Sequence, residues 1–189
     1  MIEILTNIGT AFGLSSSAGL NAYLPLLIVA LTAKYTTLIK LNQPWDLMTN
    51  WWVIGVLAVL VVIEITVDKI PAVDTVNDVL QSVGRPAAGA ILFASSSGAV
   101  GELHPILALI AGLFLAGGVH AVKTAARPAV TASTLGTGNW LVSLVEDVVV
   151  LVSAILAILV PLVIVLLVIF MFLAFLWWKN RPFKPQATA

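Results

Sequence analysis

Apolar residues in this chain come in long blocks rather than in alternation. Ile8 to about Ala33, Trp51 to about Val67, Pro86 to about Gly101 and Pro105 to about Val122 are each mostly apolar, and a last block runs from Trp140 to Trp178. A helix needs about 20 apolar residues to cross the hydrocarbon core of a bilayer. The blocks therefore predict an all-α, polytopic membrane helix bundle, one domain over residues 1–189. The last block is about twice the length of one crossing. Two helices, 140–159 and 162–178, folded into a hairpin at Pro161, fit a bilayer better than one. That gives six spans, with five as the alternative.

The basic residues select between these counts. With six spans and both termini cytoplasmic, Lys69, Arg85, Lys123, Arg127, Lys179, Arg181 and Lys184 lie inside, and only Lys34 and Lys40 lie outside. Five spans split them almost evenly, so the positive-inside tendency favours six. Trp45, Trp51, Trp52, Trp140, Trp177 and Trp178 all sit at block ends, where an aromatic belt forms.

Two blocks carry unusual polar content. The first holds Ser15, Ser16, Ser17 and Asn21 before Pro25, and the third holds Ser95, Ser96 and Ser97 before Pro105. The triplets and prolines repeat at one shared offset (15 to 95, 25 to 105). This predicts an internal repeat with helices broken at the Ser triplets, a device transporters use around a central site. The other reading is close helix packing through small residues. Between the blocks, Val73, Val76, Val79, Leu80 and Val83 recur at helical spacing, with Asp74, Asn77, Asp78 and Gln81 on the opposite face. That predicts an amphipathic helix lying at the cytoplasmic interface or folded back under the bundle, with Pro86 opening the next span. Residues 125–139 read as a polar loop.

Composition sharpens the class. The chain is 60% hydrophobic and 10% charged, where soluble domains carry about 25% charge. A soluble or disordered chain is excluded. Nine basic residues balance nine acidic ones, so nothing points to nucleic acid. There is no cysteine, which excludes disulfides, thiolate metal sites and cysteine nucleophiles. The opening Met1-Ile2-Glu3-Ile4 is acidic, so the first block reads as an uncleaved span, not a signal peptide.

The charges fall in three clusters, and all three approach the cytoplasmic side in the six-span layout. Glu64 and Asp68 share a helix face near the end of the second block, with Lys69, Asp74, Asp78 and Arg85 following. His120, Lys123 and Arg127 share a face of the fourth. Asn139, Ser143, Glu146 and Ser153 form a stripe on the fifth, beside Asp147. Charge inside a membrane is costly and marks function by default. Glu64, Asp68, Glu146 and Asp147, with Asn139 and Ser143, suit coordination or relay of a cation or proton. Lys69, Arg85, His120, Lys123 and Arg127 suit counter-charges or contacts to an anion or lipid headgroup. A third reading is a structural ion-pair network that fixes helix register.

No Walker loop, HExxH or GxSxG is present, so neither an enzyme nor a cofactor is expected. Two histidines without cysteine argue against a transition-metal site. An oxygen-ligand site for Mg²⁺, Ca²⁺ or Mn²⁺ stays open.

Five motifs in order resemble a family of small bacterial membrane proteins with a domain of unknown function. They are Ala18-Gly19-Leu20-Asn21-Ala22-Tyr23-Leu24-Pro25-Leu26, then Glu64-x-x-x-Asp68-Lys69-Ile70-Pro71-x-x-Asp74, then Arg85-Pro86-x-x-Gly89. His120-x-x-Lys123-x-x-x-Arg127 and Asn139-Trp140-x-x-Ser143-x-x-Glu146-Asp147 complete the set. The family commonly has Arg where this chain has Asn21. The resemblance implies a helical inner-membrane protein and supplies no substrate.

The expected function is a small secondary transporter or channel for an ion or small solute. The alternative is a non-transporting scaffold, assembly factor or lipid-interacting protein. The expected partners are the lipid bilayer, an ion or small solute, and further copies in a homo-oligomer. The two functions predict different interiors. A transporter needs a wet polar cavity that includes Glu64 and Glu146, whereas a scaffold pairs every charge in a dry bundle.

Overall fold

The computed structural model describes residues 2–96, 104–135 and 137–179, and of these the side chains of 2, 3, 71–76, 162 and 178 are not described. Ser97 and the side chains of Asp74 and Trp178 thus lie outside the described residues, as do Arg181 and Lys184. The chain forms α1 (Ile2–Ala18), α2 (Tyr23–Tyr35), a 3₁₀ turn (Trp45–Thr49), α3 (Trp51–Val67), α4 (Pro71–Ser96), α5 (Pro105–Thr134), α6 (Asn139–Leu159) and α7 (Pro161–Lys179). No strand occurs among the described residues. α5 and α6 are long and apolar enough to cross a membrane, while α2, α3 and the 163–177 part of α7 are apolar but shorter.

The first apolar block is a helix reversal, not one broken crossing. α1 ends just past its Ser triplet, where Gly19, Leu20 and Asn21 donate back to Ser16 and Ser17 carbonyls at 3.1–3.2 Å. Asn7 and Thr10 of α1 border the same cavity as Thr37, Lys40 and Asn42, which follow α2. A straight helix would set these groups tens of ångströms apart at 1.5 Å per residue. The chain therefore turns back at Gly19–Ala22. α1 begins at the end of the bundle opposite Glu64, not beside the charges as the two-cytoplasmic-termini expectation placed it.

Directions alternate from there. α2 leaves the reversal and α3 returns, since Lys34 donates to the Thr49 carbonyl at 2.8 Å and Tyr23 meets Glu64. α4 runs away from the charges to Ser96, α5 comes back, and α6 leaves again to Ile158 at the far cavity.

The expected interfacial helix and third span are one helix, α4. Pro86 lies inside it, not at its start. The reason is visible in its faces. Asp78, Gln81 and Arg85 share one face and are buried, whereas Val79, Leu80 and Val83 are 70%, 71% and 74% exposed. The amphipathic pattern is inside out, with polar groups facing the bundle. A helix break at Pro86 would unhook Arg85 from that face.

α5 likewise continues through the expected polar loop to Thr134 and closes on Leu135 at φ 52°. Thr131 tethers this extension by bonding Asn139 at the start of α6 at 3.0 Å.

The last block is two helices, separated at Val160. Pro161 has no N–H, so the Ala157 carbonyl four residues earlier loses its helical donor. Thr10 of α1 supplies one, its hydroxyl lying 2.8 Å from that oxygen. This cross-helix donor is what lets the break sit against α1. Beyond Val165, every described residue of α7 is exposed.

α1, α4 and α5 meet closely because glycines line their crossing. A Cβ on Gly89 would collide with Ala116 Cβ, and one on Gly112 would collide with the Gly89 carbonyl oxygen. Phe12 and Phe93 stack edge-on beside this point, with centroids 5.5 Å apart.

Candidate functional site

Arg85 is wholly enclosed on α4, and its guanidinium collects three acids. Nη1 donates to Asp78 at 2.9 Å, and Nη2 reaches Glu64 and Asp68, each at 3.3 Å. Lys123 on α5 bridges Asp68 at 2.9 Å and Glu146 at 3.2 Å. Arg127, one turn further along α5, binds the same Glu146 oxygen at 2.6 Å. Lys69 pairs with Asp147 at 3.2 Å, at the more exposed edge. Acids from α3, α4 and α6 thus meet bases from α4 and α5. The i, i+4 and i, i+7 spacings read from the sequence put each set on one helix face, and packing turns those faces together.

The network encloses the α1–α2 reversal. Glu64 accepts the Ala22 N–H at 3.0 Å and the Tyr23 N–H at 3.3 Å, at the start of α2. A carboxylate suits that position, because the first N–H groups of a helix are unpaired and carry partial positive charge. Lys123 donates to the Leu20 carbonyl at 3.0 Å. Asn21 donates to Asp147 at 3.2 Å and caps the Leu24 N–H at 3.0 Å. Charged groups from α3, α5 and α6 each hold one part of the turn.

Among the described residues, charge does not balance here. Five carboxylates (Glu64, Asp68, Asp78, Glu146, Asp147) face four cations (Lys69, Arg85, Lys123, Arg127). His120 does not close the gap. Its Nδ1 lies 3.0 Å from Arg85 Nη1. A guanidinium only donates, so Nδ1 accepts and the neutral ring carries its proton on Nε2. Asp68, one residue past α3, feels burial, which raises its proton affinity. Lys123 and Arg85 outweigh that and hold its carboxyl below the usual carboxylate range.

A cavity of about 620 Å³ opens beside the network, between α4 and α5. Asp78, His120, Arg127 and Asn139 reach it, and the rest of its wall is largely apolar. Glu64 does not line it, and Glu146 borders a separate apolar hollow with Leu20 and Val145. The interior therefore meets neither sequence expectation in full: it has a cavity, but the two acids expected in it are not both there.

Other sequence candidates fall elsewhere. Ser15 donates to the Gly112 carbonyl at 3.0 Å, and Ser17 pairs with Ser153 at 2.8 Å. Ser16 is half-buried beside them. Ser95 bonds within α4, and Ser96 Oγ has no partner among the described residues. Ser15–Ser17 and the Ser95–Ser96 pair lie at opposite ends of the bundle. Asn139 bonds Thr131, outside the ion pairs, and Ser143 Oγ is buried without a partner among the described residues. No group of three or more His, Asp or Glu with metal-binding geometry occurs among the described residues.

The network contacts that escaped the sequence reading are the Ala22 and Tyr23 amides and Asn77, which donates to Asp68 at 2.8 Å; away from the network, so did Thr10. Asn77 was placed on the polar face of its helix, and that face was its only signal. The amides were signalled only by the Gly19-Leu20-Asn21 break.

These features define an all-α bundle with two helices able to cross a membrane and a buried network of opposite charges around a helix reversal. The chain belongs to the family described as Domain of unknown function (DUF4126), whose model matches residues 8–181. That membership bears out the resemblance read from the five motifs. No curated protein and no solved structure matches the chain.

Proposed function

We propose that this chain is an integral membrane carrier for a small solute, with the charge network as its proton- or cation-sensitive latch. The observation that carries the reading is the excess carboxylate around the reversal. Five acids against four bases leave room for one proton or cation, and taking it up would loosen the ties on Leu20, Asn21, Ala22 and Tyr23. Glu64, Asp68, Glu146 and Asp147 carry the coupling, and Arg85, Lys123 and Arg127 are their counter-charges.

A membrane setting is supported by the outer surface. Val56, Val59 and Val62 on α3, Phe114 on α5 and Leu166 to Trp177 on α7 are exposed, and the polar face of α4 is turned inward. Water does not favour such a surface, and lipid does. The apolar blocks favour six spans, whereas the helix directions favour five crossings, α3 to α7, with α1–α2 a hairpin entering from the face away from the network. The charge bias puts the network on the cytoplasmic face of a bacterial inner membrane.

Two inverted units support the carrier reading. α1–α2–α3 runs toward, away from and toward the network, and α4–α5–α6 runs away, toward and away. Each unit has Ser residues closing its first helix, a Pro opening its second (Pro25, Pro105), and Asn-Trp opening its third (Asn50-Trp51, Asn139-Trp140). Inverted repeats of this kind let a carrier exchange two conformations around one site.

A scaffold is the second reading, favoured by the pairing of all five acids and the enclosure of Glu64, which is 1% exposed. Charge movement in proteoliposomes on a solid-supported membrane separates the two. Protons, cations and small anions are each jumped across wild type, Glu64→Gln and Glu146→Gln. A carrier gives a current for one ion class that both variants lose while still folded. No current for any ion, with both variants only less stable, would favour the scaffold.

A further inference from the structure

A second cavity, of about 470 Å³, opens at the end of the bundle away from the network. It lies where α1 and α4, the opening helices of the two units, cross. Asn7 and Thr10 come from α1, Ser95 and Ser96 from α4, and Thr37, Lys40 and Asn42 from the segment after α2. The Phe12–Phe93 pair and the Ser15–Gly112 bond close the crossing further toward the network. The cavity is therefore a blind mouth facing away from the charges.

Its chemistry differs from that of the network. Lys40 is the one charged side chain among its described lining residues, and no described carboxylate reaches it. Two polar atoms in its walls, Asn7 Nδ2 and Ser96 Oγ, have no hydrogen-bond partner among the described residues. An amide nitrogen and an ammonium group only donate, and hydroxyls donate as readily as they accept. A wall with one cation and spare donors suits a ligand rich in acceptor oxygens.

We propose that this cavity binds a small oxyanion solute, a carboxylate or inorganic phosphate, and takes it up from the face away from the network. The transport role rests on the carrier reading; the binding does not.

The chain has no cysteine, so one added thiol reports the cavity alone. Thr37→Cys, at an exposed lining position, is labelled in proteoliposomes with a membrane-impermeant thiol reagent. Acetate, lactate and phosphate are the probes, with glycerol and ethylammonium as neutral and cationic comparators. The expected result is saturable slowing of labelling by one of the anions, about tenfold at saturation, lost when Lys40→Gln is added. Asn42→Cys is a second reporter should the first not fold. No slowing by any anion, equal slowing by glycerol or ethylammonium, or slowing that survives Lys40→Gln would overturn the site. Anion protection in a protein that never transports would keep the site and remove the carrier. Transport of an anion that never protects either thiol would remove the site and keep the carrier.

Discussion

At one end of this molecule, nine charged side chains from four helices converge on a single turn, and Arg85 and Glu64 are shut away from solvent. At the other end, Lys40 faces a cavity while Asn7 and Ser96 keep polar atoms without partners. Both ends are built from the same kind of sequence, Ser-rich helix ends beside a proline. The difference lies in what reaches them. The network end receives long charged side chains from α3 to α6, and each turn amide or carbonyl they meet becomes a partner. Among the described residues, the far cavity is lined by one charged side chain, Lys40. Pairing closes a polar site and the lack of it leaves one open, so the two ends suit a latch and a mouth.

The largest effect is expected at Arg85. Arg85→Met removes the partner of Glu64, Asp68 and Asp78 at once and should destabilise the fold by about 3–5 kcal/mol, as breaking a buried ion pair does. Thermal unfolding of the detergent-solubilised protein reads it. A loss no greater than that from Lys69→Met, at the exposed edge, would contradict the enclosed network.

Next comes the glycine crossing between the ends. A methyl on Gly112 lands on the Gly89 carbonyl oxygen and 2.7 Å from Phe93 Cβ, so Gly112→Ala should cost about 1–3 kcal/mol. Gly55→Ala is the control, since nothing lies within 4 Å of its added methyl, and it should gain about 0.5–1 kcal/mol of helix propensity. Equal behaviour of the two in the same melts would remove the close crossing.

Thr10→Val should cost about 1 kcal/mol, because the Ala157 carbonyl then has neither the Thr10 hydroxyl nor a Pro161 N–H. Added Pro161→Ala should recover that loss. The smallest effect is at Lys40, where Lys40→Gln should leave the melting temperature unchanged while altering only solute protection.

Much of the fold was legible because lipid-scale apolar blocks announce helices. The i, i+4 and i, i+7 charge spacings placed Glu64 with Asp68 and His120 with Arg127 on single faces. What failed had a common cause. The reversal after Ser17 was read as a break in one crossing, because local sequence shows where a helix ends but not which way the chain leaves. Pro86 reads as the start of a span and residues 125–139 as a loop, yet Pro86 and residues 125–134 lie in helices whose polar faces are held by Arg85 and Arg127. The amphipathic stretch after Val73 had the right period and the wrong side, since which face turns inward depends on partners remote in sequence. The charge pairs themselves join residues such as Lys123 and Asp68, which no local pattern links.

The most direct test of the latch is whether breaking the network opens the crossing beneath it. Ser15 is fully buried there, bonded to Gly112, and Ser15→Cys changes little in size. In the otherwise native chain that thiol should resist an impermeant reagent from both faces. With Glu146→Gln added, which frees one ligand of Lys123 and Arg127, it should become reactive from the network face. Equal protection in both backgrounds, with both proteins folded by their melting curves, would contradict the latch and leave the network a structural tie.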